Sequence, residues 1–211
     1  MESSSIQPPV HGGRTVASGR CHNGFMETAP DVVQQFANVV NEITFVTRAA
    51  IGGIRYFAKQ IEGAPIVPSN PDPVVFVGAG DPNLPTSKRF AQLTKSQVLE
   101  RTAVGGLTDQ LIGQQWILLV FSAWEYEFRS RLAAAHGCTA SELKYSLFGD
   151  LKNLRHDVIH NRGIASQENT GKCELLGSIF PIGNPILLTD ENLLAVFAEF
   201  PFERMVAGPT T

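Results

Sequence analysis

The chain has 211 residues, 43% of them hydrophobic, which is enough for one domain with a sizeable core. Its formal net charge is −3, so no general basic field attracts it to nucleic acid or membranes, and any such contact has to be local. The three cysteines, Cys21, Cys138 and Cys173, form no CxxC pair. This spacing argues against a disulfide framework or zinc knuckle and predicts a reducing compartment.

The N-terminal segment, residues 1–28, is rich in Ser, Gly and Pro and is expected to be a flexible tail. It lacks the apolar core of a secretory signal, and the longest apolar run, WILLVF, is too short to span a bilayer. These features predict a soluble, cytoplasmic protein that makes no use of a membrane.

Apolar residues at spacings of three and four predict a long helix from Pro30 to about Ile61, ended by Gly63 and Pro65. The next segment, residues 64–88, is rich in Pro and Gly and is expected to be a long irregular connector that can carry a short strand at VVFVG. The VGAGDP stretch has a GxG, but it lacks the third glycine and the helix of a dinucleotide loop. A turn is therefore the preferred interpretation.

A second helix is predicted from about Thr108 to His136, ended by Gly137. Its middle, WILLVFSAW, is apolar almost all round, which is typical of a buried helix and places Trp116 and Trp124 in the core.

Thr139 and Glu142 have the spacing of a capping box and predict that a third helix starts there and ends near Gly163. At about 100° per residue, its core stripe consists of Leu147, Leu151, Leu154 and Val158. The flank and back of the helix carry Lys152, Arg155, His156 and His160, which are expected to face water or another surface.

A last helix is predicted from about Asp190 to Phe202, after a polar loop and a short strand or turn. The fold is therefore expected to be mostly α, with residues 29–205 as one helical domain and residues 206–211 as a C-terminal tail.

The end of the third helix is unusually polar. From Lys144 to Arg162 the chain carries four Lys or Arg residues and two aspartates, Asp150 and Asp157, which gives a local charge of +2 in an acidic protein. Such a basic island suits phosphate. The plain alternative is a solvated helix end, where the helix dipole favours cations in any case.

The stretch LRHDVIHNRG resembles the signature of the HEPN superfamily, an arginine followed by a polar residue and then, within four to six residues, a histidine. Arg155, His156 and His160 take these three positions. The FSAWEYEFRSRL and GNPILLTDENLLAVF segments also resemble parts of bacterial HEPN families, and the similarity covers about residues 30 to 205.

The resemblance implies an antiparallel helical bundle of four to five helices that acts as a metal-independent endoribonuclease without a cofactor. It implies a homodimer whose two motif helices share one cleft, RNA as substrate, and a defence or toxin–antitoxin setting with an antitoxin or regulatory protein as a further partner. Arg155 and His160 are the implied catalytic residues. Because they lie about 140° apart on an ideal helix, a bend or a facing partner helix is needed to bring them together.

The residues expected to bind or orient RNA are His156, Asn161, Lys152, Arg162 and Glu125. Of these, Glu125, or its neighbour Glu127, can reach the third helix and pair with Arg155.

Two other functions stay open. The same bundle can bind RNA or assemble with a protein without cutting. The HDVIH stretch differs by one methylene from the HExxH pattern of zinc hydrolases, with Asp157 in place of the general-base Glu. No third ligand is evident from the sequence, although Glu168 and Glu174 are candidates, and the short side chain of Asp157 would misplace the water.

Overall fold

The computed structural model describes residues 27–65, 68–81 and 84–209, so the predicted tail lies outside the described residues except for its last two positions. The described chain is mostly helical, with one two-stranded antiparallel sheet. The elements are, in chain order, α1 (Ala29–Glu62), β1 (Val74–Ala79), β2 (Lys88–Thr94), α2 (Lys95–Thr102), α3 (Leu107–Ala123), α4 (Arg129–His136), α5 (Ser146–His160), α6 (Asp190–Ala198) and α7 (Phe202–Ala207).

Helix α1 has the predicted bounds. Thr28 and Asp31 form a capping box at its start, and the backbone N–H of Gly63 closes its end. The first half buries its apolar stripe, whereas Val46 and Phe57 in the second half are exposed, against the predicted pattern. The second half packs on one side only, where Arg55 forms an ion pair with Asp109 at the start of α3.

The predicted connector contains a β-hairpin. Strand β1 coincides with the VVFVG stretch and pairs with β2, with an irregularity between Val77 and Gly78. A Cβ at Gly78 would lie 2.2 Å from the carbonyl oxygen of Lys88, so the close approach of the strands requires glycine there. The first glycine of the GxG therefore serves the hairpin, while Pro82 lies outside the described residues.

Helix α2 follows β2 directly and was not predicted. Its first residue, Lys95, is buried, and its Nζ donates hydrogen bonds to the carbonyl oxygens of Glu62 (2.7 Å) and Ala64 (3.0 Å). A lysine at these carbonyls satisfies acceptors that the end of α1 leaves free. This contact ties the hairpin and α2 to the long first helix.

The second predicted helix is continuous but not uniform. A π-helical turn, Trp124–Phe128, joins α3 to α4, and Gly137 ends α4 in the left-handed region at φ 65°. A π turn adds a residue to the helix, and here it keeps Phe128 and Leu132 on the core side below Trp124. Trp116 and Trp124 are both buried, as predicted.

The third predicted helix starts later than its capping box indicates. Thr139 and Glu142 do form the box, but it caps a short 3₁₀ turn, Ala140–Glu142, and α5 begins only at Ser146. Leu143 and Tyr145 are extended between the two elements because both side chains are buried in the core. Burial of these two residues outweighs the local signal for helix initiation.

The C-terminal part is divided at Pro201. Helix α6 ends at Ala198, and α7 runs on through the predicted domain boundary at 205 to Ala207. Met205 is fully buried, and its carbonyl oxygen is 2.8 Å from Nε2 of His136. These contacts hold α7 in the domain.

An aromatic cluster forms the centre of the core. The rings of Trp124 and Phe148 stack with centroids 4.0 Å apart, and Phe36 of α1 contacts both. Because Trp124 belongs to the π turn and Phe148 to the first turn of α5, this contact fixes the position of α5 against the second helix.

Candidate nucleic-acid interface

The candidate site is the outer face of α5, and its core stripe is where the helical wheel puts it. Leu147, Leu151 and Leu154 are buried. On the other side, Lys152, His156 and His160 are exposed, and Arg155 is half-buried. The predicted outward orientation of these polar side chains is therefore present in the structure.

Helix α5 runs antiparallel to α3. The contacts between them, in order along α5, are Phe148 on Trp124, Arg155 over Phe121, and Gly163 beside Gln114. At Gly163, which has a φ of 71°, the carbonyl oxygen accepts a hydrogen bond from Nε2 of Gln114 at 3.1 Å, and an added Cβ would meet that amide at 1.9 Å. The end of the motif helix is thus anchored on α3.

Asp157 is not part of the surface charge. It is fully buried and accepts hydrogen bonds from the backbone and hydroxyl of Ser166, from Thr170 and from Asn169. Burial raises the pKa of Asp157, but these hydrogen bonds together lower it further, to about 2. The carboxylate therefore organises the loop that follows α5.

Asp150 does the same for the next part of that loop. It is buried and accepts hydrogen bonds from the backbone N–H groups of Glu174 (2.9 Å), Leu175 (2.7 Å) and Leu176 (2.9 Å). The two aspartates of the basic island therefore lie on the buried side of α5 and hold the loop, although their charges still count in its net charge of +2. On an ideal helix they lie about 60° and 80° from Leu147, on the side away from Arg155, and this signal was present in the sequence.

Arg155 faces a surface cavity of about 520 Å³ that Lys152 and Glu125 also line. Its guanidinium carbon lies 5.7 Å from the centre of the Phe121 ring, and within the described part of the chain it has no carboxylate partner. The predicted pairing with Glu125 is not observed, because both oxygens of Glu125 accept hydrogen bonds from Arg129 at 3.0 and 2.9 Å. Glu127, the other candidate, pairs with Arg131.

The two histidines of the motif are neighbours on the exposed face. The ring centres of His156 and His160 are 4.5 Å apart, with the rings tilted at 45°. His160 does not line the cavity that Arg155 lines. A single copy of α5 therefore presents the arginine and the histidine on different sides.

Asn161 and Arg162 belong to the turn that ends α5. Nδ2 of Asn161 donates a hydrogen bond to the carbonyl oxygen of Ile164 at 2.7 Å, and Arg162 has a φ of 54°. Both residues are exposed. Asn161 thus has a structural role in the turn, while the side chain of Arg162 extends the basic face beyond the helix.

The arrangement does not favour the zinc interpretation. Asp157, which would stand for the general base, is buried and holds the loop, whereas the two histidines are exposed. Glu174, a candidate third ligand, accepts a hydrogen bond from Ser146 at 2.6 Å, about 21 Å along α5 from His160. Over residues 27–65, 68–81 and 84–209, no cluster of three or more His, Cys, Asp or Glu side chains could hold a metal ion.

None of the helices in the described ranges has both the length and the apolar character needed to cross a membrane.

Comparisons of the chain with protein-family models, with curated proteins and with solved structures give no match.

Proposed function

We propose that this chain is a metal-independent endoribonuclease of the HEPN type, in which Arg155 and His160 act together at a cleft between two copies. One observation carries the proposal. The outer face of α5 presents an arginine and two histidines, and the two aspartates of the same segment are buried under it and engaged by the loop. Such a face attracts phosphate without competition from its own carboxylates.

The chemistry follows from the two side chains. A neutral imidazole nitrogen can accept a proton, so His160 can act as the general base for an RNA 2′-hydroxyl. The 2′-oxygen then bonds to the adjacent phosphorus, and the bond to the 5′-oxygen breaks. Arg155 donates hydrogen bonds to the non-bridging oxygens and stabilises the charge that develops on them. The products are a 2′,3′-cyclic phosphate and a 5′-hydroxyl, the leaving oxygen having taken up a proton.

The separation of the two residues supports a second copy. Arg155 and His160 face different sides of one helix, so a facing helix has to complete each site. Leu119 of α3 and Ile159 of α5 are 51% and 47% exposed, although both are large apolar side chains. On an ideal helix Ile159 lies about 40° from Arg155, so a second copy placed on Ile159 would cover it and approach Arg155.

The test is cleavage of a mixed single-stranded RNA by the purified protein in excess EDTA. His160→Ala should lose cleavage at least about a hundredfold, because a general base contributes roughly 10²–10⁴ to the rate. The matched control is His22→Ala, which changes the same residue type outside α5 and should cleave like the parent protein.

Three outcomes would count against the proposal: cleavage that EDTA abolishes, cleavage of DNA of the same sequence, or equal activity of the His160→Ala protein. If a folded parent protein binds RNA and leaves it intact, the bundle is a binding module.

A further inference from the structure

The cavity beside Arg155 extends far beyond that residue. It lies between the π turn and the first turns of α5, and its other lining residues include Lys144, Ser146 and Gly149. Its volume of about 520 Å³ falls in the range of sites that take a whole small ligand, roughly 300–1,000 Å³. A single phosphate group would leave most of this space unfilled.

The charges around the cavity favour an anion. Four cationic side chains line it, against the two carboxylates of Glu125 and Glu174. Both carboxylates already have partners, since Glu125 is bound by Arg129 and Glu174 accepts a hydrogen bond from Ser146. The other three cations, Lys144, Lys152 and Arg155, have no carboxylate partner in the ranges that the structure describes.

The N-terminus of α5 adds to the positive charge around the cavity. Tyr145 precedes the 15-residue helix and makes no side-chain cap, and it lines the cavity together with Ser146. The N–H of Phe148 is bonded to the carbonyl oxygen of Tyr145, so only the N–H groups of Ser146 and Leu147 at this helix start have no acceptor within the described residues. A helix N-terminus is favourable for negative charge. The floor is apolar and is made by Phe121 and Trp124.

We infer that this cavity receives a nucleotide of a single-stranded RNA, outside the bond that is cut, with its phosphate held by Lys144 and Lys152. The inference rests on the proposed function, since it assigns the path of the same substrate. Ser146 and Arg155 are separated by about 14 Å along α5, which leaves room for more than one phosphate between the cavity floor and the cleavage position. A cationic groove that tracks the backbone is what single-strand binding proteins use to hold phosphates.

The experiment measures binding rather than cleavage. A labelled single-stranded RNA is titrated with the His160→Ala protein over a series of salt concentrations. The titration is then repeated with the double variant that carries both His160→Ala and Lys144→Ala. Lys144 is exposed and has no ion-pair partner among the residues that the structure describes, so its replacement should leave thermal unfolding unchanged. We expect affinity to fall about three- to fivefold, the value of one exposed ion pair, and the slope of log K against log salt to fall by about 0.7, as for one lost phosphate contact on a single strand.

The matched control is Lys59→Ala, an exposed lysine on α1 that does not line the cavity. It should change neither the affinity nor the slope by a comparable amount. An unchanged slope for Lys144→Ala would overturn the inference, as would an absence of RNA binding at the lowest salt. Displacement of the RNA by an oligoglutamate of equal charge and concentration would also overturn it, because the cavity would then suit an acidic protein segment.

The two proposals fail separately. If the parent protein cleaves RNA in EDTA but Lys144→Ala leaves the salt slope unchanged, the cavity has no part in binding and the nuclease proposal is unaffected. If the parent protein never cleaves, yet Lys144→Ala lowers the slope, the cavity is an RNA site on a protein without the proposed activity.

Discussion

Asp157 is a single residue that holds the loop after α5 in place. Its carboxylate is buried at the inner side of α5 and accepts hydrogen bonds from Ser166, Asn169 and Thr170. Its pKa in the folded protein is about 2, compared with an ordinary value of 3.8. The folded value is the lower one, so the carboxylate stabilises the fold above about pH 4 and loses this contribution as the pH falls from about 4 to 2.

Asp157→Asn should therefore lower the free energy of unfolding at pH 7 by about 2 kcal/mol, the energy equivalent of the pKa difference. The NH2 group of the new side chain would also face N–H donors, from which it cannot accept a hydrogen bond. Urea unfolding at pH 7, 5 and 3 measures the effect, and the difference from the parent protein should shrink at pH 3. Asp190→Asn, at an exposed helix start, is the control and should cost less than about 1 kcal/mol. A difference that stays constant down to pH 3 would show that the Asp157 carboxylate does not carry this stability.

At the scale of elements, the position of α5 depends on its contact with the π turn. Phe148 is buried, and its ring stacks on that of Trp124 at 4.0 Å. The short connection from the 3₁₀ turn to α5 puts Tyr145 into the same cluster, with its ring centre 5.7 Å from that of Trp124. The aromatic cluster, rather than the capping box of Thr139, thus determines where α5 begins.

Phe148→Ala should destabilise the protein by about 3–5 kcal/mol, because it leaves a cavity and removes the stacked ring. Leu194→Ala on the exposed side of α6 should cost less than about 1 kcal/mol, since Leu194 is 72% exposed. Denaturant unfolding followed by tryptophan fluorescence measures both. Equal losses in the two variants would mean that α5 is not held by this stack.

At the scale of the whole molecule, the proposed function needs two chains. If each site takes its arginine from one copy and its histidine from the other, Arg155→Ala and His160→Ala proteins are each inactive, but their mixed dimer contains one intact site. After unfolding and refolding together, an equal mixture should recover about one quarter of the parent activity, because half of the dimers are mixed and each has one of two sites.

Ribonuclease activity of the mixture, compared with each variant refolded alone, is the measurement. A mixture that stays inactive while size-exclusion chromatography shows mixed dimers would indicate that one chain supplies both residues. A parent protein that stays monomeric at the assay concentration, and still cleaves, would argue against the shared cleft altogether.

The sequence by itself determined most of the helical framework. Three features could be predicted from local periodic patterns: the apolar stripe of α1, the buried middle of α3, and the division of α5 into an apolar and a polar side. Such patterns depend only on the spacing of apolar residues. For the same reason, the outward position of Lys152, Arg155 and the two histidines could be predicted. The strand in VVFVG was also expected, but its partner β2 is largely exposed and lacks a clear alternation, so the hairpin and α2 were missed.

Only the tertiary structure decided which charges remain free on the candidate site. The helical pattern of α5 put Asp150 and Asp157 on its inner side, but it could not show that the irregular loop after α5 folds back to donate hydrogen bonds to both. The capping box of Thr139 is limited to one turn because Leu143 and Tyr145 enter the core. The cavity of Lys144 and Lys152 likewise exists only where α5 meets the π turn. These features depend on contacts between residues far apart in sequence, which a local pattern does not contain.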